Sequence, residues 1–106
     1  MNDAEIESEI LRRKNLIAPR VTLERVESAI VGEDYYVFPG STVTVCLLKL
    51  ANGFTCVGKS ACASPENFDE ELGRKIAREN AKQKIWPLEG YLLKQKLYEA
   101  ENEATD

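Results

Sequence analysis

Thr42-Val43-Thr44-Val45-Cys46-Leu47-Leu48-Lys49-Leu50, then Ala51-Asn52-Gly53, then Phe54-Thr55-Cys56-Val57-Gly58-Lys59-Ser60 is the stretch that decides the fold. Two runs rich in β-branched and apolar residues flank an Asn-Gly pair. Asn-Gly in that setting is a strong hairpin signal, because both residues tolerate the positive φ that a tight turn requires. A three-residue loop with Gly53 left-handed sets Leu50 opposite Phe54, Leu48 opposite Cys56 and Cys46 opposite Gly58. One face of the hairpin is then apolar. The other carries Val43, Val45, Leu47, Lys49, Thr55, Val57 and Lys59, too apolar a set for full exposure to water, so a cover over part of it is expected.

Working upstream, Tyr35-Tyr36-Val37-Phe38 favours a pleated surface and Pro39-Gly40 supplies a turn, which predicts a further strand near 34–38. Before it, Thr22 is a candidate N-cap for Leu23, Val26, Ala29 and Ile30 at helical spacing, with Gly32 just beyond, which predicts a short helix near 22–31. The segment near 3–15 has acids at its start and Arg12, Arg13 and Lys14 at its end, the charge order that suits a helix dipole. Its apolar stripe is thin, so residues 1–20 read as a peripheral helical arm closed by Pro19.

Downstream, Ser64-Pro65 and the Asn67 to Glu70 capping-box spacing open a long helix over 67–86. Its predicted packing stripe is Phe68, Leu72, Ile76, Ala77, Ala81 and Ile85. Pro87 should break the ladder before a last helix over 88–100, and residues 101–106 form an acidic tail expected to be disordered. The fold class is therefore α+β, with residues 21–100 as a single domain. Its three-stranded antiparallel sheet, near 34–38, 42–50 and 54–60, is packed by the helix 67–86.

Composition bounds the function classes. The chain has 106 residues and is 43% hydrophobic and 30% charged, values for one globular domain. No apolar run approaches the roughly eighteen residues of a membrane span, and the acidic start Met1-Asn2-Asp3-Ala4-Glu5 is unlike a secretory signal. Three cysteines, an odd number, fit free thiols in a reducing cytoplasm. The net charge of −4 argues against whole-molecule attraction to nucleic acid or anionic lipid.

Several blocks carry a family resemblance. They are Val43-Thr44-Val45-Cys46, Asn52-Gly53-Phe54, Gly58-Lys59-Ser60-Ala61-Cys62, Asn67-Phe68-Asp69, Gly73 to Ala81 (GRKIARENA) and Ile85 to Leu93 (IWPLEGYLL). Together, over about Val21 to Leu97, the chain resembles the small bacteriophage and prophage protein family named after members from phage N4 and Shigella phage Sf6. The resemblance implies a phage or prophage origin and a host-cytoplasmic setting. It brings no activity, cofactor or catalytic residue with it.

Catalytic chemistry finds little to work with. The chain has no histidine, the commonest base for a cysteine or serine nucleophile. Cys46 and Cys56 alternate with apolar strand residues and read as small hydrophobes. Cys62 precedes a helix start, which can lower a thiol pKa, and is the one cysteine with a conceivable reactive role. No Cys-x-x-Cys pair or Gly-rich phosphate loop occurs, and the acids Glu66, Asp69, Glu70 and Glu71 suit a helix's first turn without any cation. No catalytic, metal or cofactor residue is assigned.

Two candidate binding surfaces remain. Arg74, Arg78 and Lys82 recur every fourth residue with Lys75 beside them, a basic helix face able to meet phosphate. The order helix, strand, strand, strand, helix is also that of a double-stranded-RNA-binding domain. Against this stand the acids at the helix start, the short Phe38-Pro39-Gly40-Ser41 loop without a histidine, and Glu70 and Glu71 at ion-pair spacing from Arg74 and Lys75. The second surface is the cluster Trp86, Leu88, Tyr91 and Leu92 around Pro87, which together with the apolar second hairpin face suggests an interface. The resulting expectation is a non-enzymatic phage accessory protein in the host cytoplasm that binds protein, as a homodimer and through a host factor. Nucleic-acid binding through Arg74, Lys75, Arg78 and Lys82 is the alternative.

Overall fold

Helix α1 (Asp3–Lys14) and the short helix α2 (Leu23–Ser28) precede three strands, β1 (Ile30–Val37), β2 (Thr44–Leu50) and β3 (Thr55–Ser60). A 3-10 turn (Pro65–Asn67) then leads to helices α3 (Glu70–Lys82) and α4 (Ile85–Ala104). The computed structural model describes residues 2–14 and 18–104. The strands form one antiparallel sheet in the order β1-β2-β3.

The hairpin has the expected register: Leu48 faces Cys56, Cys46 faces Gly58, and the Leu50 amide donates to the Phe54 carbonyl at 2.8 Å. Gly53 has φ 91°, the left-handed conformation that closes the loop without a Cβ penalty. Side chains alternate across β2 as a pleat requires, with Thr44, Cys46, Leu48 and Leu50 buried and Lys49 exposed. The backbone alternates too. Because the Phe38 amide donates to the Val43 carbonyl, Asp34 and Tyr36 also aim their backbone groups at β2, while Glu33, Tyr35 and Val37 aim theirs away.

Strand β1 starts at Ile30, four residues before the expected 34, and α2 ends at Ser28 instead of 31. The β-branched pair Ile30-Val31 takes the chain into the sheet, and Gly32 becomes a strand residue opposite Lys49 in place of a helix stop. The register slips by one between Ile30 and Gly32, leaving Val31 as a bulge. Thr22 caps α2 as expected, its hydroxyl accepting from the Arg25 amide at 3.1 Å.

Helix α3 is shorter than the predicted span 67–86 at both ends. Asp69 is the N-cap, its carboxylate accepting from the Leu72 amide at 3.1 Å, and Ser64-Pro65 opens the separate 3-10 turn. The break expected at Pro87 falls at Gln83-Lys84. A proline inside a helix clashes with the carbonyl four residues back, here that of Gln83, so the chain turns there. Restarting at Ile85 puts Pro87 in the first turn of α4, where its missing N–H would be unpaired in any case. Helix α4 runs to Ala104, so Glu101–Ala104, expected as disordered tail, is helical; Thr105 and Asp106 lie outside the described residues.

The packing stripe of α3 also differs from expectation. Gly73, Ala77 and Ala81 face the sheet, while Leu72 and Ile76 are 53% and 44% exposed. Small residues win because helix and strand approach so closely. A Cβ on Gly58 would overlap the Ala81 amide nitrogen and the Ala77 carbonyl oxygen, and one on Gly73 would lie 2.9 Å from Thr44 Oγ1. The helix packs on β2 and β3 and reaches β1 through the Arg78 side chain, which pairs with Glu33. The core is Val26, Cys46, Leu48, Leu50, Cys56, Ala77, Ala81 and Ile85, with Trp86, Leu88, Tyr35 and Ile30 at its margin.

Candidate functional site

The basic residues of α3 share one side of the helix, and each meets acids of the same chain. Arg74 pairs with Glu70 at 3.4 Å and Lys75 with Glu71 at 3.5 Å, both one turn back. Arg78 reaches across to two other elements. It holds Glu27 of α2 at 3.0 and 3.3 Å and Glu33 of β1 at 2.7 Å. The Glu27 and Glu33 carboxylates raise the Arg78 pKa further above its ordinary value, and in return the Arg78 guanidinium holds Glu27 below its own.

Lys82 is 7% exposed and lies among Glu79 at 3.0 Å, Asp3 at 3.4 Å and Glu27 at 3.4 Å. Burial pulls its pKa down most strongly, but Glu79 and Glu27 together outweigh that and the net shift is upward. Asp3 is raised by burial and lowered by Gln83, Trp86 and Lys82, with a net shift downward. The stripe that looks like a phosphate cradle is thus, at Arg78 and Lys82, the joint between α1, α2, β1 and α3. Charge reversal at Arg78 would bring three acids together and test folding instead of binding.

Trp86 and Tyr91 part company. Trp86 donates its indole N–H to Asp3 at 3.3 Å and packs on the core, fixing the start of α1 to the corner between α3 and α4. A carboxylate of α1 also ties down the entry to α2: Glu7 accepts from the Leu23 amide at 2.6 Å and pairs with Arg20 at 3.3 Å. The expected arm is therefore docked by its first two turns. Tyr91 is 72% exposed on the wall of a groove of about 430 Å³ between α2, the β2-β3 loop and α4. Leu50, Phe54, Leu88 and Leu92 line it with Arg25 and Glu89, which pair at 3.1 Å. Sequence reasoning does not single out Phe54 as a surface residue; its place beside the hairpin loop carries the signal, since a large apolar residue beside a tight turn has little to pack on.

The sheet face away from α3 is open. Val57, Tyr36 and Phe38 are exposed and Val45 and Leu47 half-buried, so the expected cover is not supplied by the described helices. The Tyr36 and Phe38 rings pack in a tilted arrangement with centroids 4.9 Å apart and extend the apolar strip past the hairpin.

Chemistry for bond making is sparse at each of these places. Burial pushes the Cys46 and Cys56 thiols up, which disfavours the nucleophilic thiolate. Tyr35, beside Cys46, is pushed up to about 12, chiefly by burial. Cys62 donates its thiol to the Ser64 carbonyl at 3.0 Å, and its amide and carbonyl both bond the Thr42 hydroxyl. Among the described residues no His, Cys, Asp and Glu side chains gather in a group able to hold a metal ion. No described helix is long and apolar enough to cross a membrane.

Fold and surface together define a small α+β domain with α3 laid on one face of a three-stranded sheet, its basic side tied to its own acids and its other sheet face bare. The chain belongs to the phage protein family of N4 Gp49 and phage Sf6 gene 66, whose model matches residues 21–97. Helix α1 and the end of α4 lie outside that match. Neither a curated protein nor a solved structure matches the chain.

Proposed function

We propose that this is a non-enzymatic phage accessory protein of the host cytoplasm that works by binding protein, first by self-association and then through a host factor. The observation that supports the reading is the bare apolar strip Tyr36, Phe38, Val45, Leu47 and Val57 on a sheet only three strands wide. Contiguous apolar surface of that kind on a small domain is the usual mark of a contact with another protein.

Sedimentation velocity over a wide concentration range tests self-association. The expected outcome is a concentration-dependent dimer; a monomer throughout would remove that part of the reading. For the host factor, a protein captured from lysate by the wild type and lost with Val57→Lys is expected. The nucleic-acid alternative keeps Arg74 and Lys75 as its usable cations, since Arg78 and Lys82 hold the fold together. Salt-sensitive binding to duplex RNA that Arg74→Glu with Lys75→Glu abolishes would favour it instead.

A further inference from the structure

The two edges of the sheet are treated differently. On β3 two of the three outward carbonyls are taken by side chains of the same chain: Asn80 donates to the Lys59 carbonyl at 2.8 Å and the Lys84 ammonium to the Val57 carbonyl at 2.6 Å. On β1 the outward amides and carbonyls of Glu33, Tyr35 and Val37 receive no such bond among the described residues. Several of the usual defences of an edge are missing there, and the acids Glu33 and Asp34 that it does carry are each paired within the chain. Strand β1 has neither lysine nor proline, α3 reaches it through the Arg78 side chain and packs on β2 and β3, and its bulge sits at the far end, at Val31.

We propose that β1 is the self-association site and pairs antiparallel with β1 of a second copy, making one continuous six-stranded sheet. This rests on the self-association reading above and names its surface. Residues with outward backbone groups must meet one another, and three such residues allow few registers. With Tyr35 opposite Tyr35 of the second copy, Glu33 faces Val37 and Asp34 faces Tyr36, so no acid meets an acid. Sliding toward the strand start sets Asp34 or Glu33 against its own counterpart. Sliding the other way brings Glu33 against Pro39, which has no N–H to give.

The acids on the strand are already neutralised within each copy, Glu33 by Arg78 at 2.7 Å and Asp34 by Lys49 at 3.1 Å, so two copies can approach without strong repulsion. Pairing in this register also joins the Tyr36 and Phe38 strips of the two copies on one face. A second copy is thus the occupant whose charges and backbone fit the edge.

Amide hydrogen exchange on the wild type, followed by NMR with concentration, is the test. The amides of Glu33, Tyr35 and Val37 should exchange slowly in the dimer and at least ~10-fold faster on dilution to monomer, while Asp34 and Tyr36 stay protected in both. Val37→Pro deletes an outward N–H and spares the ladder to β2, so it should shift the protein to monomer in sedimentation. A wild-type dimer whose three amides exchange fast at every concentration overturns the β1 site and leaves self-association standing, as does a folded Val37→Pro that still dimerises. A wild type that never dimerises overturns both. If Val37→Pro does not fold, the wild-type exchange pattern decides alone.

Discussion

Gly58 sits in the middle of β3 directly beneath α3, where a side chain of any size would strike the backbone of Ala77 and Ala81. Backbone cannot swing aside as a flexible side chain can. Gly58→Ala is therefore expected to destabilise the domain by about 3 kcal/mol or more, read as a lower urea midpoint at unchanged slope. A loss under about 1 kcal/mol would mean that the helix and strand are not in such close contact. An isolated glycine within a strand pattern marks close approach of another backbone, so the sequence signals that Gly58 is special. It does not say by what, because the Ala77-Ala81 pair becomes its neighbour only through the fold. The same gap explains the helix stripe: Leu72 and Ile76 have the hydropathy of core residues, yet the seam is too narrow for them.

At the scale of elements, Arg78 connects three of them through charge. It stands on α3 and grips α2 at Glu27 and β1 at Glu33. Arg78→Gln should cost about 1–2 kcal/mol of unfolding free energy, the partly exposed setting holding the figure below that of a buried pair. Lys75→Gln, removing a solvent-exposed pair with Glu71, should cost less than about 0.5 kcal/mol by the same measurement. Acid should weaken the joint in a defined direction. Glu27 and Asp3 are both held below their ordinary values of 4.5 and 3.8, so their contribution is complete above those values and disappears as pH falls through the lower folded ones. The urea midpoint should stay level near neutral pH and drop below about pH 4.5, less steeply in Arg78→Gln. Pairs one turn apart on a helix, such as Glu70 with Arg74, are legible from spacing alone. Pairs between elements are not, which is why Arg78 and Lys82 read as a ligand face until the sheet and α2 are in place. The sheet itself was legible, because Asn52-Gly53 fixed a register that the alternation of Thr44 to Leu50 then confirmed residue by residue. Element ends were less so, because the clash that moves the break is between the Pro87 ring and the carbonyl four residues before it, some way from where the proline stands in the sequence.

The whole molecule is long for its mass. Its radius of gyration is 17.6 Å and its extents are 62 × 33 × 18 Å, against about 13 Å for the radius of a compact chain of ~100 residues. Residues 94–103 of α4 add to that length without adding to the core, since all of them are exposed. Deleting residues 98–104 should leave the unfolding free energy of the remainder within about 0.5 kcal/mol, checked by urea denaturation, since few native contacts are removed. Sequence periodicity marked Leu97 and Tyr98 as apolar helix positions without revealing that both are exposed, outside the core cluster of the described residues. At the other end of the molecule, Asn80 and Lys84 stopper the free side of β3. A ladder obstructed along one margin resists lengthening copy after copy, so growth through the opposite margin favours a closed pair over a fibre.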